Sequence, residues 1–153
     1  MHRMTNIDIR PASRDDIPDI VAMLADDALG ATRESPEDLS PYQSAYERLQ
    51  RDPNQLLVVA ESDGRVVGTL QLTIIPGLSR KGSTRSIIEG VRVHSSQRGH
   101  GLGARLIEWA IEESGRQGCQ LVQLTSDSAR TDAHRFYERL GFAGSHVGFK
   151  LQL

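Results

Sequence analysis

The chain has 153 residues, 38% of them hydrophobic and 25% charged, and its formal net charge is −2. This length and composition predict a single domain over residues 1–153, with no low-complexity linker. The interspersed charges argue against nucleic-acid binding, and the lack of a long apolar run argues against membrane insertion or export, so a cytoplasmic location is expected.

The first part of the chain predicts a strand followed by a helix. The alternation from Asn6 to Arg10 is typical of a half-buried strand that Pro11 ends. Ser13 and Asp16 have the spacing of a capping box, so the helix starts at one of these two residues. Pro18 favours the later start, because a proline beyond the first turn would cost a hydrogen bond.

The next segment predicts a loop, a second helix and a hairpin. Residues 26–40 are acidic and lack a clear period, which indicates a surface loop and a candidate substrate lid. Ser40 is a predicted N-cap, with Pro41 at the first helical position. Asp63 and Gly64 then separate two β-rich runs, a strong signal for an antiparallel hairpin.

The second half of the chain predicts alternating strands and helices. A strand is expected from Ser86 to His94, with Glu89 on the same face as its apolar residues. An amphipathic helix from Gly101 to Gly115 and a strand from Gln120 to Ser126 follow, so this strand–helix–strand unit should be parallel. After them come a helix that stops at Gly141 and a final strand. The alternating Val147, Phe149 and Leu151 predict that strand.

A glycine-rich turn lies between the Ser86–His94 strand and the long helix. Gly99, Gly101 and Gly103 let the backbone approach a ligand closely, and the helix N-terminus favours an anion. Arg98 adds a full positive charge. Taken alone, the cluster fits either a phosphate site or a tight turn without a ligand. Its spacing matches neither a P-loop nor a nicotinamide fingerprint.

The turn resembles the acetyl-CoA motif of the GCN5-related N-acetyltransferases, Gln/Arg-x-x-Gly-x-Gly/Ala, through Arg98, Gly101 and Gly103. The segment from Ile88 to His94 resembles the family's fourth strand, and that from Ala133 to Phe142 resembles its last helix. The resemblance implies a mixed, mostly antiparallel sheet of the α/β (α+β) class. Its central parallel pair of strands would be splayed, with helices on both faces.

The resemblance also implies a set of site residues. Acetyl-CoA would lie between the splayed strands, its pantetheine on the main chain of Val91 and Val93. Its pyrophosphate would lie on the turn and the first residues of the helix, which are Arg98, Gly99, His100, Gly101, Leu102, Gly103 and Ala104.

Two further residues are candidate catalytic groups. Tyr137 matches the tyrosine that the family commonly directs at the coenzyme A sulfur, and otherwise would be a core aromatic. Glu89 is either a carboxylate satisfied by a nearby cation or a general base acting through water. Arg130 stands where the family often has asparagine, so no contact is carried over to it. No metal site is predicted, because neither His134 nor His146 has a ligand spacing.

The acceptor is expected to be a small-molecule amine. The segment from Arg130 to Tyr137 and the ending from Ser145 to Lys150 resemble small-molecule acetyltransferases, including aminoalkylphosphonate acetyltransferases. A protein lysine or N-terminus is the alternative acceptor, and a non-catalytic acetyl-CoA-binding module is a third possibility. A homodimer is also plausible, because edge strands of this fold often pair across subunits.

Overall fold

The computed structural model describes residues 6–153 and contains one five-stranded sheet. The strands lie side by side in chain order, antiparallel except for the parallel last pair. The mixed, mostly antiparallel sheet is therefore confirmed, but in the described residues its parallel pair lies at one edge and not at the centre, because no strand follows β5. Its strands are β1 (Ile7–Pro11), β2 (Gln55–Ser62), β3 (Arg65–Ile75), β4 (Arg85–Val93) and β5 (Leu121–Leu124).

Within residues 6–153, four longer α-helices and two of four residues each connect and cover the strands. The two short ones were not predicted: α2 lies in the acidic loop, and α4 is a turn whose residues Arg80 and Lys81 have left-handed backbone angles. The helices are α1 (Ile17–Ala25), α2 (Gly30–Arg33), α3 (Ser40–Gln50), α4 (Ser79–Gly82), α5 (Leu102–Arg116) and α6 (Thr131–Arg139).

The start of α1 and the hairpin turn have the structures that the sequence predicts, and the start of α3 differs from its prediction. The Asp16 carboxylate accepts hydrogen bonds from the Ser13 N–H and hydroxyl, at 2.7 and 3.1 Å, which forms the first half-turn before α1. Asp63 and Gly64 both have positive φ, the geometry of a two-residue hairpin turn. For α3 the cap differs from the prediction: Ser40 is the first helical residue, and the Asp38 carboxylate accepts from its N–H and hydroxyl.

The two faces of the sheet carry different cores. α5 covers one face, where its Leu102, Leu106 and Ile107 pack on the sheet and are fully buried. We call this the α5 face. On the opposite face, which we call the α1 face, a smaller cluster holds Ile20 of α1 against Val59 of β2. The expected coverage of both faces is confirmed, and the apolar packing is concentrated under α5.

A bulge in β4 changes which residues share a face. Gln71 of β3 pairs with Glu89 and Thr69 pairs with Arg92, so β4 has one more residue than β3 over this stretch. Gly90 has a φ of 62°, a conformation that glycine adopts without strain. The predicted common face of Glu89 with Val91 and Val93 is therefore wrong. Both valines pack on the α5 face, whereas Glu89 pairs with a residue of the α1 face.

The predicted final strand is also wrong. Residues 142–153 have no regular secondary structure, and Val147, Phe149 and Leu151 are 78%, 94% and 86% exposed. The alternation is that of a strand, but strand geometry needs a neighbouring strand to satisfy its backbone. Within the described part of the chain, β5 is an edge strand that pairs only with β4.

Candidate active site

The glycine-rich turn forms one wall of a groove of about 270 Å³. Gly99 and Gly101 both have a φ of 81°, which takes the chain from the end of β4 into α5 without a steric penalty. The Arg105 N–H donates to the Gly101 carbonyl, so the amides of the three residues between them belong to the first turn, which has no intrahelical acceptors. The groove is lined by Val93, Gln97, Arg98, Gly99, Gly101, Leu102, Gly103, Ala104 and Phe136.

The groove lies beside the part of β4 that extends past the end of β5. Pairing of these strands ends at Ile88 and Leu124, beyond which β4 continues paired with β3. Val91 and Val93 lie in this continuation, with Val93 at the groove itself. The carbonyls of Val91 and Val93 each accept a hydrogen bond from an arginine. Arg92 Nη1 donates to Val91 O at 2.9 Å, and Arg98 Nε donates to Val93 O at 3.4 Å. A ligand that bonded these carbonyls would compete with both arginines.

Each of these arginines is also held by an aspartate from the loop after α1. Arg98 Nη2 lies 3.3 Å from the carboxylate and from the carbonyl of Asp26. Arg92 Nε lies 3.2 Å from the carboxylate of Asp27, whose pKa is lowered chiefly by the Gly30 N–H and further by Arg92. The acidic loop is therefore tied to β4 and to the turn. No local sequence pattern could have indicated these pairings, because the partners are more than 60 residues apart.

Tyr137 lies on α6, half-buried against the α5 face. Its ring makes edge-to-face contacts with Phe136 and Phe142, at centroid distances of 5.2 and 6.0 Å. Burial raises the pKa of the phenol, and the nearby cations Arg130 and Arg92 act in the opposite direction. At neutral pH the phenol therefore keeps its proton, the form in which it can donate.

Glu89 is exposed on the α1 face, at the open end of a row of polar side chains. Its neighbour across the strands is Gln71, whose amide donates to the Gln55 carbonyl oxygen at 2.9 Å. The Thr73 hydroxyl donates to the same oxygen, also at 2.9 Å. We call Gln55, Gln71, Thr73 and Glu89 the polar floor. Sequence reasoning picked out Glu89 alone, although the alternation of polar residues along β3 is the signal for the others.

The remaining predicted candidates have structural surroundings. His134 Nε2 bonds the Asp127 carbonyl at 2.9 Å, and His146 Nδ1 bonds the neighbouring Ser145 hydroxyl. Burial raises the pKa of the Cys119 thiol, which disfavours a thiolate nucleophile. Among residues 6–153, no three His, Cys, Asp or Glu side chains lie close enough to hold a metal ion. The helices of the same range are all too short or too polar to cross a membrane.

The chain matches known proteins along most of its length. The model of the acetyltransferase (GNAT) family matches residues 19–142. An aminoalkylphosphonate N-acetyltransferase from Salmonella typhimurium is 30% identical over 93% of this chain and 88% of its own. An L-methionine sulfoximine/L-methionine sulfone acetyltransferase from Pseudomonas aeruginosa is 31% identical over 88% of this chain and 78% of its own.

Solved structures agree with this assignment. A Trypanosoma brucei acetyltransferase superimposes with a TM-score of 0.76, at 30% identity over 97% of this chain and 100% of its own. A protein from Bacillus halodurans described as a transcriptional regulator has a TM-score of 0.92, at 45% identity over 97% of this chain and 100% of its own.

Arg98, Gly101 and Gly103 thus lie together at the groove and helix start that their motif implies. With the family match over residues 19–142, they establish that this chain belongs to the acetyltransferase (GNAT) family and is an acyltransferase.

Proposed function

We propose that this chain is an acetyl-CoA-dependent N-acetyltransferase that acetylates the primary amine of a small molecule by direct attack within a ternary complex. The observation that carries the proposal is that β4 extends past the end of β5 beside the groove of the glycine-rich turn, while Glu89 lies on the α1 face of the same strand. A donor held along this part of β4 would be approached by an amine from the α1 face.

The donor half of the site fits a pyrophosphate attached to an extended arm. The first-turn amides of α5 and the helix dipole favour an anion at the turn, with Arg98 beside it. A Cβ at Gly99 would meet no atom within 4 Å, so a ligand can approach the backbone there. The main chain of Val91 and Val93 would hold the arm. Acetyl-CoA supplies the activated acyl group as a thioester.

The proposed catalytic roles follow from the two faces of the sheet at β4. Glu89, on the α1 face, takes up through water the proton that the attacking amine loses as its nitrogen bonds the acyl carbon. Tyr137, on the opposite side, gives its proton to the departing sulfur as the carbon–sulfur bond breaks. The base and the acid thus lie on opposite sides of the acyl group, an arrangement that suits direct transfer of the acetyl group to the amine.

The acceptor is proposed to carry an anionic group beside its amine. Arg92 and Arg130 both act electrostatically on the Tyr137 phenol, so two cations lie near the proposed reacting centre. Aminoalkylphosphonate and glucosamine 6-phosphate, the acceptors named for two relatives, pair an amine with a phosphonate or a phosphate. A guanidinium matches such an oxyanion with parallel hydrogen bonds.

The proposal is tested by following coenzyme A release with a panel of acceptors. The panel pairs aminomethylphosphonate with methylamine and glucosamine 6-phosphate with glucosamine, and adds amino acids, polyamines and lysine peptides. We expect turnover with an anionic amine and at least a tenfold lower kcat/KM for its uncharged counterpart. Turnover of peptides alone would instead support protein acetylation, and acetyl-CoA binding without turnover would support a binding module.

The catalytic residues are tested by two isosteric variants. Tyr137→Phe and Glu89→Gln should each lower kcat by roughly 10²-fold or more, while the dissociation constant for acetyl-CoA stays within about threefold. Glu112→Gln, on the exposed side of α5, is the matched control and should keep full activity. Unchanged turnover and pH profile in Glu89→Gln would exclude a role for that carboxylate as the base.

A further inference from the structure

Hydroxyl groups inside the described part of the chain have hydrogen-bond partners, with one exception. The Thr69 hydroxyl donates to a carbonyl of β2 at 2.9 Å, and the hydroxyls of Ser86 and Ser114 bond each other at 2.7 Å. Within residues 6–153, two buried side-chain atoms have no hydrogen bond, and they are Arg92 Nε and the hydroxyl oxygen of Ser126. Such atoms are rare in folded proteins, and each one needs an explanation.

The two unpaired atoms differ in their surroundings. Arg92 Nε lies 3.2 Å from the carboxylate of Asp27, so its charge is partnered although no hydrogen bond is aligned. The Ser126 hydroxyl has no polar contact of this kind among the described residues. A hydroxyl can donate one hydrogen bond and accept two, and burial without any of them costs free energy. A bound molecule that bonded this hydroxyl would remove that cost.

Ser126 follows the end of β5, at the point where β4 extends beyond it. The last pair of the two strands is Ile88 with Leu124, so Ser126 comes two residues after that pair. The same register continued would bring Ser126 level with Gly90, the residue before Val91. A Cβ at Gly90 would meet no atom within 4 Å, so that side of the β4 backbone is open.

The alternation along β5 predicts that Ser126 belongs to the donor side of the sheet. Val122 and Leu124 pack on the α5 face, and Ser126 is the next residue of the same parity. Val91 and Tyr137 pack on that face too. The proposed function puts the first of these along the arm of acetyl-CoA and the second at its sulfur. The unpaired hydroxyl is therefore on the side where the donor arm would run.

We propose that Ser126 is a donor-binding residue, whose hydroxyl forms a hydrogen bond with an amide of the acetyl-CoA arm opposite the main chain of Val91. The inference rests on the proposed function, which supplies the ligand. It adds a side-chain contact to a site that otherwise consists of main chain and Arg98. The arm contains amide carbonyl and N–H groups, and a serine hydroxyl can bond either. Because the hydroxyl has no partner in the free protein, its pairing contributes to donor affinity and not to the stability of the fold.

The test compares Ser126→Ala with Ser86→Ala, a matched variant that removes a buried hydroxyl with a partner. Thermal unfolding of the free proteins and calorimetric titration with acetyl-CoA are measured for both, without any assay of turnover. Ser126→Ala should weaken acetyl-CoA binding about three- to tenfold. Its Tm without ligand should be unchanged to within about 1 °C, or raised, because no hydrogen bond is lost. Ser86→Ala should show the reverse, a lower Tm and the wild-type affinity.

Titration with ADP, which has the pyrophosphate but lacks the arm, locates the contact. Its dissociation constant should be the same for the wild type and Ser126→Ala. An unchanged affinity of Ser126→Ala for acetyl-CoA, or an equal loss of affinity for ADP, would overturn the inference. So would a free Ser126→Ala protein that is destabilised as much as Ser86→Ala, because the hydroxyl would then have a structural role. A wild-type chain that binds no acetyl-CoA would overturn the proposed function, and this inference with it.

Discussion

The α5 face and the α1 face of the sheet are held together in different ways. Under α5, fully buried leucine and isoleucine side chains form a continuous apolar layer. The α1 face has a smaller apolar cluster and relies on ion pairs, among them Arg10 with Asp16 and Arg92 with Asp27. Apolar packing is non-directional, whereas ion pairs depend on position and charge. The difference separates an apolar layer that supports the fold from a surface whose contacts depend on charge.

The largest effect is expected from breaking the apolar layer. Leu106 is fully buried and lies where a Cβ at Gly68 would come within 3.1 Å of its Cδ1. Leu106→Ala should lower the free energy of unfolding by about 2–5 kcal/mol, through lost transfer energy and a cavity. Urea denaturation measures this loss. Leu78→Ala, at an exposed position, should change it by less than about 0.5 kcal/mol, and equal losses would contradict the layer.

The ion pairs of the α1 face should have a smaller effect that depends on pH. Asp16 is buried and its pKa is lowered, first by the Arg10 guanidinium and then by Ser13. Its carboxylate thus stabilises the fold above the unfolded-state pKa of about 3.9, and this contribution is lost as pH falls through the lower folded value. Asp16→Asn should cost about 1–3 kcal/mol at pH 7, because Arg10 is partly exposed.

The pH profile of unfolding provides the control for that variant. Wild-type stability should fall below about pH 4, and the profile of Asp16→Asn should be flatter there. Glu47→Gln removes the exposed pair with Arg14 and should change stability by at most about 0.5 kcal/mol. Parallel profiles for the wild type and Asp16→Asn would mean that other carboxylates dominate acid unfolding.

The ion pair between the acidic loop and the glycine-rich turn should affect the KM for acetyl-CoA. Asp26 holds the arginine that the proposed function assigns to the pyrophosphate. Arg98→Gln should raise the KM for acetyl-CoA about tenfold, close to 1.4 kcal/mol. Asp26→Asn should lower it about two- to threefold, because Arg98 then loses its carboxylate partner and keeps only contacts with neutral carbonyls. Opposite shifts support competition, and a raised KM in both variants would refute it.

The smallest loss of stability is expected from a buried pair of hydroxyl groups within the apolar layer. The hydroxyls of Ser86 and Ser114 are buried and lie 2.7 Å apart, and Ser114 also donates to the Ala110 carbonyl. Ser86→Ala should cost about 1 kcal/mol, since Ser114 keeps a partner. Thermal unfolding of this variant beside Ser114→Ala measures the pair. A loss as large as that of Leu106→Ala would show that the hydroxyls, rather than the apolar packing, dominate this layer.

Local signals in the sequence predicted most of the fold. The Asp63–Gly64 hairpin, the long α5 and the parallel pair of strands follow from patterns within 20 to 40 residues. The face of Glu89 was mispredicted, because a bulge adds a residue to the count without altering the composition. The final strand was mispredicted because alternation indicates a half-buried segment and carries no information about the chain that buries it.

The sequence carries a clear local signal for the proposed donor side of the site and much less for the proposed acceptor side. The glycine spacing from Arg98 to Gly103 indicates an anion site at a helix start, and it also matches the family motif. The pairings of Asp26 and Asp27 with arginines depend on the tertiary fold, which no local pattern encodes. The polar floor likewise exists only once β2, β3 and β4 are side by side.

The extra residue at Gly90 shifts the alternation of side chains along β4 by one position. Downstream of it, every odd-numbered side chain of β4 points to the side that even-numbered ones occupy upstream. Removing that one residue would restore strict alternation and exchange the environments of Arg92 and its valine neighbours. The extra residue thus places Arg92 on the ionic face of the sheet and its valine neighbours on the apolar face. Insertions and deletions should therefore be tolerated less in β4 than in any of the loops.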